Sequence, residues 1–353
     1  MQSEHFLESW VTSSNDDECT LIVRSPGAVF YLQWIPSELA RAPPLLADYL
    51  KSLEILKLTH DDDTNDDNYQ EREAEAEKLK RPFNKTISSL APNPPFPPFT
   101  LHHWLNPEWF LLIATVVENK IKPRREHENP YMLPGEPRHS SFLKKFELDT
   151  WVPNWYSSHE VQIMPSAESS PLLSTPTKVL VQGNLCHFKN IQRGSPAPFR
   201  ELKAHREILK ALAKGLIPAD LRICRLHGLV YDKFDDYERM VGLLLLHVKT
   251  KISHAPSTLR NFARSANQKT RQRWSGELAT LVHTLHHAGL QWGDVKPDNI
   301  LVDEDDNLWL IDFDGGYTPP WVSRENCGKL EGDIEGLKNI QEWLLNMIDK
   351  SCG

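Results

Sequence analysis

No apolar run in the 353 residues approaches the length of a membrane span. The first ten, M-Q-S-E-H-F-L-E-S-W, lack the basic and apolar regions of a signal peptide. Cysteine is sparse: Cys19, Cys186, Cys224, Cys327 and Cys352 are odd in number, scattered, and without a C-x-x-C pair. That pattern excludes a disulfide framework and a cysteine-based zinc site, and reads as free thiols in a reducing compartment. Positive charge is not in excess either. The formal charge of −8 at pH 7 argues against a non-specific partner such as nucleic acid or a membrane surface. These absences together predict a cytoplasmic protein, with a nuclear location also open, and with no nucleic-acid or membrane partner.

What the chain does have is concentrated between His283 and Gly316. Leu278, Leu281, Val282 and Leu285 recur at i, i+3, i+4 and i+7, the stripe of a helix with one buried face, and Gly289 stands where a left-handed cap would end it. After a loop come two short apolar runs, Ile300 to Val302 and Leu308 to Ile311, around the turn-rich Asp303 to Asn307, which predicts a β-hairpin. Asp294, Lys296 and Asn299 lie on the entering loop, and Asp312 follows the exit strand. Pairing the two strands folds Asp312 back beside Asn299.

That geometry suits phosphoryl transfer, in which a protein positions the acceptor, holds Mg²⁺ and neutralises developing charge. Asp312 and Asn299 offer the hard oxygen ligands that Mg²⁺ takes alongside nucleotide phosphates. Asp294 is placed to accept the proton of the attacking hydroxyl, and Lys296 to bring positive charge to the transferred group.

The stretch resembles the catalytic loop and metal-binding segment of the protein-kinase-like superfamily. The pattern H-R-D-L-x-x-x-N followed by D-F-G is matched by W-G-D-V-K-P-D-N at Trp292 to Asn299 and by D-F-D-G at Asp312 to Gly315. Gly293 before the Asp resembles atypical and small-molecule kinases, and the chain as a whole looks like a group of kinase-like proteins common in filamentous fungi. The resemblance implies an α+β, two-lobed kinase-like fold with a minimal C-lobe, covering about residues 141 to 348, with ATP and Mg²⁺ as cofactors. It divides the chain into an N-terminal region at 1–140 with acidic and Pro-rich linkers, an N-lobe at 141–250 and a truncated C-lobe at 251–353.

The resemblance also assigns Lys189, in the strand L-C-H-F-K, as the lysine that holds the nucleotide phosphates. Its partner is a glutamate of the helix Phe199 to Leu212. Glu201 shares a stripe with Ile208 and Leu212 and is preferred over Glu207, which sits among lysines on a charged face. His187, on the face of Lys189, either stacks on the base or crowds it.

Several departures matter. Trp155-Tyr156-Ser157-Ser158 stands where a glycine-rich loop is expected, leaving backbone amides or the two serines to cover the phosphates. Asp314 replaces the first Gly of D-F-G, and is either a turn carboxylate tolerating φ > 0 or a further metal ligand. Gly293 removes the Arg that would pair with a phosphorylated loop. Pro320 stands only eight positions after Asp312, too close for a peptide platform. Asp333 either caps the following helix or supports the catalytic loop.

Before residue 141, Thr20 to Val23 and Ala28 to Trp34 predict a hairpin, and Leu45 to Leu56 a helix. The acidic run beginning near His60 reads as a disordered loop passing into an exposed helix. Pro92 to Phe99 reads as a stiff spacer, and Lys120 to His139 as a basic connector. The predicted function is transfer of the γ-phosphate of ATP to a hydroxyl of an unidentified protein or small molecule, with Asp294 as base. The alternative is a pseudokinase or scaffold that binds partners without catalysis.

Overall fold

The structure, a computed structural model, describes residues 5–58, 66–93, 96–127, 148, 150–165, 170–191, 195–234, 237–251 and 257–347. The chain divides into two compact units: residues 1–137 with 162–176, and residues 138–161 with 177–353. Among the described residues no helix is long and apolar enough to cross a membrane.

The first unit is a five-stranded sheet covered by helices. Strands β1 (Phe6–Thr12), β2 (Cys19–Ser25), β3 (Ala28–Trp34), β4 (Glu108–Val117) and β5 (Lys120–Glu126) lie side by side in that order, with β3 and β4 parallel and the other pairs antiparallel. The β2–β3 hairpin turns at Gly27, whose φ of 82° is open to glycine at no steric cost. Helices α1 (Pro36–Leu39), α2 (Pro43–Lys57), α3 (Asp66–Lys80), α4 (Asn84–Leu90) and α5 (Leu101–Leu105) follow in the long connection from β3 to β4. Tyr49, Leu53 and Leu56 of α2 and Ala76 and Leu79 of α3 pack into one core with Leu21, Phe30 and Leu112 of the sheet. A two-residue strand, β7 (Gln162–Ile163), belongs here as well; Ile163 N donates to Phe99 O at 2.8 Å.

Two expectations change in this unit. Lys120 to Glu126 is not a connector but edge strand β5, paired residue by residue with β4. Its charges and Pro123 are what an edge strand tolerates, because its outer row of backbone groups faces solvent. Helix α3 is not wholly exposed, since it buries Ala76, Leu79 and Lys80. Residues 60–65 of the acidic run, Pro94 and Pro95 of the proline segment, and residues 128–139 of the basic stretch lie outside the described residues.

The second unit has the α+β, two-lobed, kinase-like arrangement. Strands β6 (Trp155–Ser157), β8 (Lys178–Val181), β9 (Asn184–Asn190), β10 (Leu226–Phe234) and β11 (Tyr237–Leu246) lie side by side in the order β6, β10, β11, β9, β8. Helix α6 (Ala197–Ala213) follows β9 and buries Glu201, Leu202, His205, Ile208 and Ala211. Helices α7 (Leu259–Ala263), α8 (Gln268–His287) and α9 (Leu330–Leu345) flank the hairpin of β12 (Ile300–Val302) and β13 (Leu308–Leu310). The predicted stripe of α8 is buried at Leu278, Leu281, Val282 and Leu285. The helix stops where expected: Gly289, at φ 73°, lets Leu290 N return to Leu285 O at 2.9 Å.

Candidate active site

Strand β9 carries Lys189. Strand alternation buries Cys186 and Phe188 on one face and turns His187 and Lys189 to the other. Lys189 Nζ lies 2.7 Å from Glu201 Oε2 and donates to Asp312 Oδ1 at 2.6 Å. Burial works against its charge, but Glu201 and Asp312 outweigh it and lift the ammonium above the usual lysine range. Glu201 is fully buried. Burial opposes its ionisation too, yet the contact from His205 one turn along and the charge of Lys189 hold its carboxyl below the ordinary value. Glu207, the competing carboxylate, is exposed and pairs instead with Lys210 at 2.7 Å.

The loop after α8 is fixed from two directions. Asp333 of α9, almost fully buried, accepts Trp292 N and Gly293 N, both at 2.8 Å, and lies 2.9 Å from His286 Nε2. It does not cap its helix, whose N-cap is Lys329. Trp292 Nε1 donates to Ile311 O at 2.8 Å, tying the loop to the residue before Asp312. Gly293 has φ 94°, and a Cβ there would come within 2.9 Å of Gly315 Cα. Glycine is therefore demanded by both conformation and space.

Within this frame Asp294 Oδ2 lies 2.6 Å from Lys296 Nζ and accepts Asn299 Nδ2 at 2.8 Å. Thr318 links the same group: its hydroxyl donates to Asp294 Oδ1 at 3.3 Å and accepts from Lys296 Nζ at 3.1 Å. Sequence reasoning missed Thr318. Its signal was a hydroxyl residue inside the short Asp312-to-Pro320 segment, where chain length forces proximity to the catalytic loop.

The oxygens of Asp294, Asp312 and Asp314 lie within 4.8 Å of one another. One or two hard carboxylates beside nucleotide phosphates are the donor set a divalent cation such as Mg²⁺ takes, so this cluster fits the ion. Asn299 spends its amide nitrogen on Asp294, which leaves its carbonyl oxygen as the metal-capable atom. Asp314 titrates above the usual carboxylate range because it is half-buried and because Asp312 is charged beside it. The left-handed residues of this turn are Asp312, φ 63°, and Gly315, φ 73°. The tolerance of Asp314 for positive φ is thus not called on: the bend falls on either side of it.

Lys189, His187, Leu245, His247, Val248 and Asp312 are among the walls of a cleft of about 820 Å³. Every lining residue belongs to the second unit, and the segment following β11 forms one edge of the cleft. His187 lies in this wall, where burial and the charge of Lys189 lower its imidazole pKa. The serines expected over the phosphates are elsewhere. Strand β6 pairs with β10 on the far side of the sheet from β8 and β9, and Ser158 Oγ donates to Asp232 at 2.5 Å. Strand β6 therefore does not replace a glycine-rich loop; the aromatic and hydroxyl residues that suggested one serve sheet packing.

Residues 248–325 match a family model described as the lipopolysaccharide kinase (Kdo/WaaP) family. No curated protein matches the chain. The matched stretch contains Asp294, Lys296, Asn299, Asp312 and Asp314 together, so the segment that carries the acidic cluster is the one that is similar to a kinase family, and phosphotransfer of the kinase kind is the activity this similarity supports.

Proposed function

We propose that the chain is an ATP- and Mg²⁺-dependent phosphotransferase that moves the γ-phosphoryl group of ATP to a hydroxyl of a protein or small molecule. The observation that carries this reading is the convergence of Asp294, Lys296, Asn299 and Asp312 with the Lys189–Glu201 pair at the end of an open cleft. Nucleotide enters the cleft, and Lys189, steadied by Glu201, meets its phosphates. Asp312 and Asn299 would hold the cation, which when bound shields the phosphate charge and lets the leaving oxygen depart. Asp294 orients the acceptor hydroxyl. As its oxygen bonds to the γ-phosphorus, the bond to the bridging oxygen breaks, ADP leaves with the electron pair, and the hydroxyl proton passes to the Asp294 carboxylate. Lys296 keeps positive charge beside that carboxylate and the transferred group.

A second reading, a pseudokinase or scaffold, draws support from His187 in the cleft wall and from the lack of a glycine-rich loop in the sequence. ADP formation from ATP separates the two. Wild type is expected to form ADP only with Mg²⁺, and Asp294→Ala to lose about 10²–10⁴-fold in rate while still binding nucleotide. An Asp294→Ala rate equal to wild type would remove Asp294 as the base, and no ADP from wild type with any hydroxyl acceptor would favour the scaffold.

A further inference from the structure

The turn from Asp312 to Gly315 bends twice into the left-handed region, once at a non-glycine residue. Such a conformation costs about 1 kcal/mol or more and persists where neighbours over-determine it. Two of those neighbours are consecutive residues of α6. Glu201 acts on the side chain of Asp312 through Lys189. Arg200 acts on the main chain: its Nε donates to the carbonyl oxygen of Asp314, and its side chain passes 3.9 Å from where a Cβ on Gly315 would stand. Gly315 in turn packs on Gly293, and a Cβ on Gly316 would meet Asp294 Cγ at 3.0 Å.

We propose that Arg200 is a positioning residue that sets the geometry of the cation-binding carboxylates. The inference rests on the phosphotransferase reading. One turn of α6 then grips the acidic segment twice, by a carboxylate through Lys189 and by a backbone carbonyl through Arg200. Asp312 and Asp314 are thereby held close enough together to share an ion in spite of their mutual repulsion, with Asp294 left beside them as the base. The guanidinium suits this task because its Nε is held in a rigid plane. Removing the grip lets the turn relax and the carboxylates diverge, so the cation site weakens while the cleft remains as it was.

The test is the melting temperature of full-length protein titrated with MgCl₂ at fixed ATP, for wild type, Arg200→Ala and Arg200→Lys. Each is also measured with ATP in EDTA. Arg200→Ala is expected to need about tenfold more Mg²⁺ for half of the shift, the scale seen when supports of metal ligands are lost. Its response to ATP in EDTA and its melting without ligand stay near wild type, and Arg200→Lys recovers at least part of the Mg²⁺ midpoint. A wild type that responds to Mg²⁺ and an Arg200→Ala variant with the same midpoint would overturn the inference alone. So would an equal loss of the EDTA and Mg²⁺ responses in Arg200→Ala, which would make Arg200 a nucleotide contact or a folding residue. A wild type indifferent to ATP under every condition would remove the phosphotransferase reading and this inference with it.

Discussion

At the scale of single residues, the site is a balance of unlike charges in little water. Lys189 sits 2.6 Å from Asp312 and 3.8 Å from Asp314, and Lys296 sits 2.6 Å from Asp294. With Glu201 also 2.7 Å from Lys189, two ammonium groups thus face four carboxylates, and Asp314 has the longest of these contacts. Its folded pKa lies above the ordinary 3.8, raised by burial and by Asp312. The linkage has a definite sign. A raised carboxyl is favourable below its unfolded pKa, and that contribution is lost as pH rises through the folded value. At neutral pH the ionised group therefore destabilises the cation-free protein. Asp314→Asn is expected to raise the melting temperature in EDTA at pH 7 by about 1–3 °C, with the gain vanishing below about pH 4, where both side chains are neutral. Equal or lower melting of the variant at pH 7 would show that Asp314 is already compensated without a cation.

Glu201 was legible at this scale because a helical stripe separates it from Glu207, and the stripe faces the strand that bears Lys189. The positive φ of Asp312 was not. Backbone bends inside D-F-D-G depend on where Gly315 meets Gly293 and Gly316 meets Asp294, and those contacts join residues about twenty positions apart. Arg200 was missed for the same reason, since it acts through a partner far along the chain and carries no local pattern, whereas Thr318 had only the shortness of its segment to mark it.

Among elements, the hairpin of β12 and β13 and helix α8 followed from local signals, since their hydrophobic periods and turns lie within a single short window. Strand β5 did not, because basic residues and a proline describe a connector as well as an edge strand until β4 is known to lie beside it. Strand β6 failed in the opposite way. Its position in the chain suggested a phosphate-covering role, but sheet order is a long-range property, and pairing with β10 takes it away from the cleft. Helix α9 shows how one element supports another. Asp333 brings the carboxylate that receives two backbone N–H groups of the catalytic loop, with His286 against it. Removing it orphans those buried donors. Asp333→Ala should lower unfolding stability by about 3 kcal/mol, read from the urea midpoint at unchanged slope. A loss under about 0.5 kcal/mol, the size of an ordinary surface change, would mean that the loop holds itself.

For the whole molecule, the cleft, both lysines and all the acidic ligands come from the second unit, whereas the first unit is a separately cored sheet-and-helix body. The residues proposed for the chemistry thus all lie in a kinase-like arrangement of about half the chain, and residues 248–325 carry the family similarity. The central claim is that Asp312 anchors a cation between the protein and a nucleotide triphosphate. Melting of full-length wild type and Asp312→Ala, each with ATP and MgCl₂ together, tests it most directly, since a ligand stabilises the folded state by mass action in proportion to its binding. The account predicts that wild type melts several degrees higher with both ligands, about 2.7 kcal/mol of stabilisation at a hundredfold excess over the dissociation constant, and that Asp312→Ala loses the Mg²⁺-dependent part. An Asp312→Ala variant stabilised by ATP and Mg²⁺ as fully as wild type would contradict it.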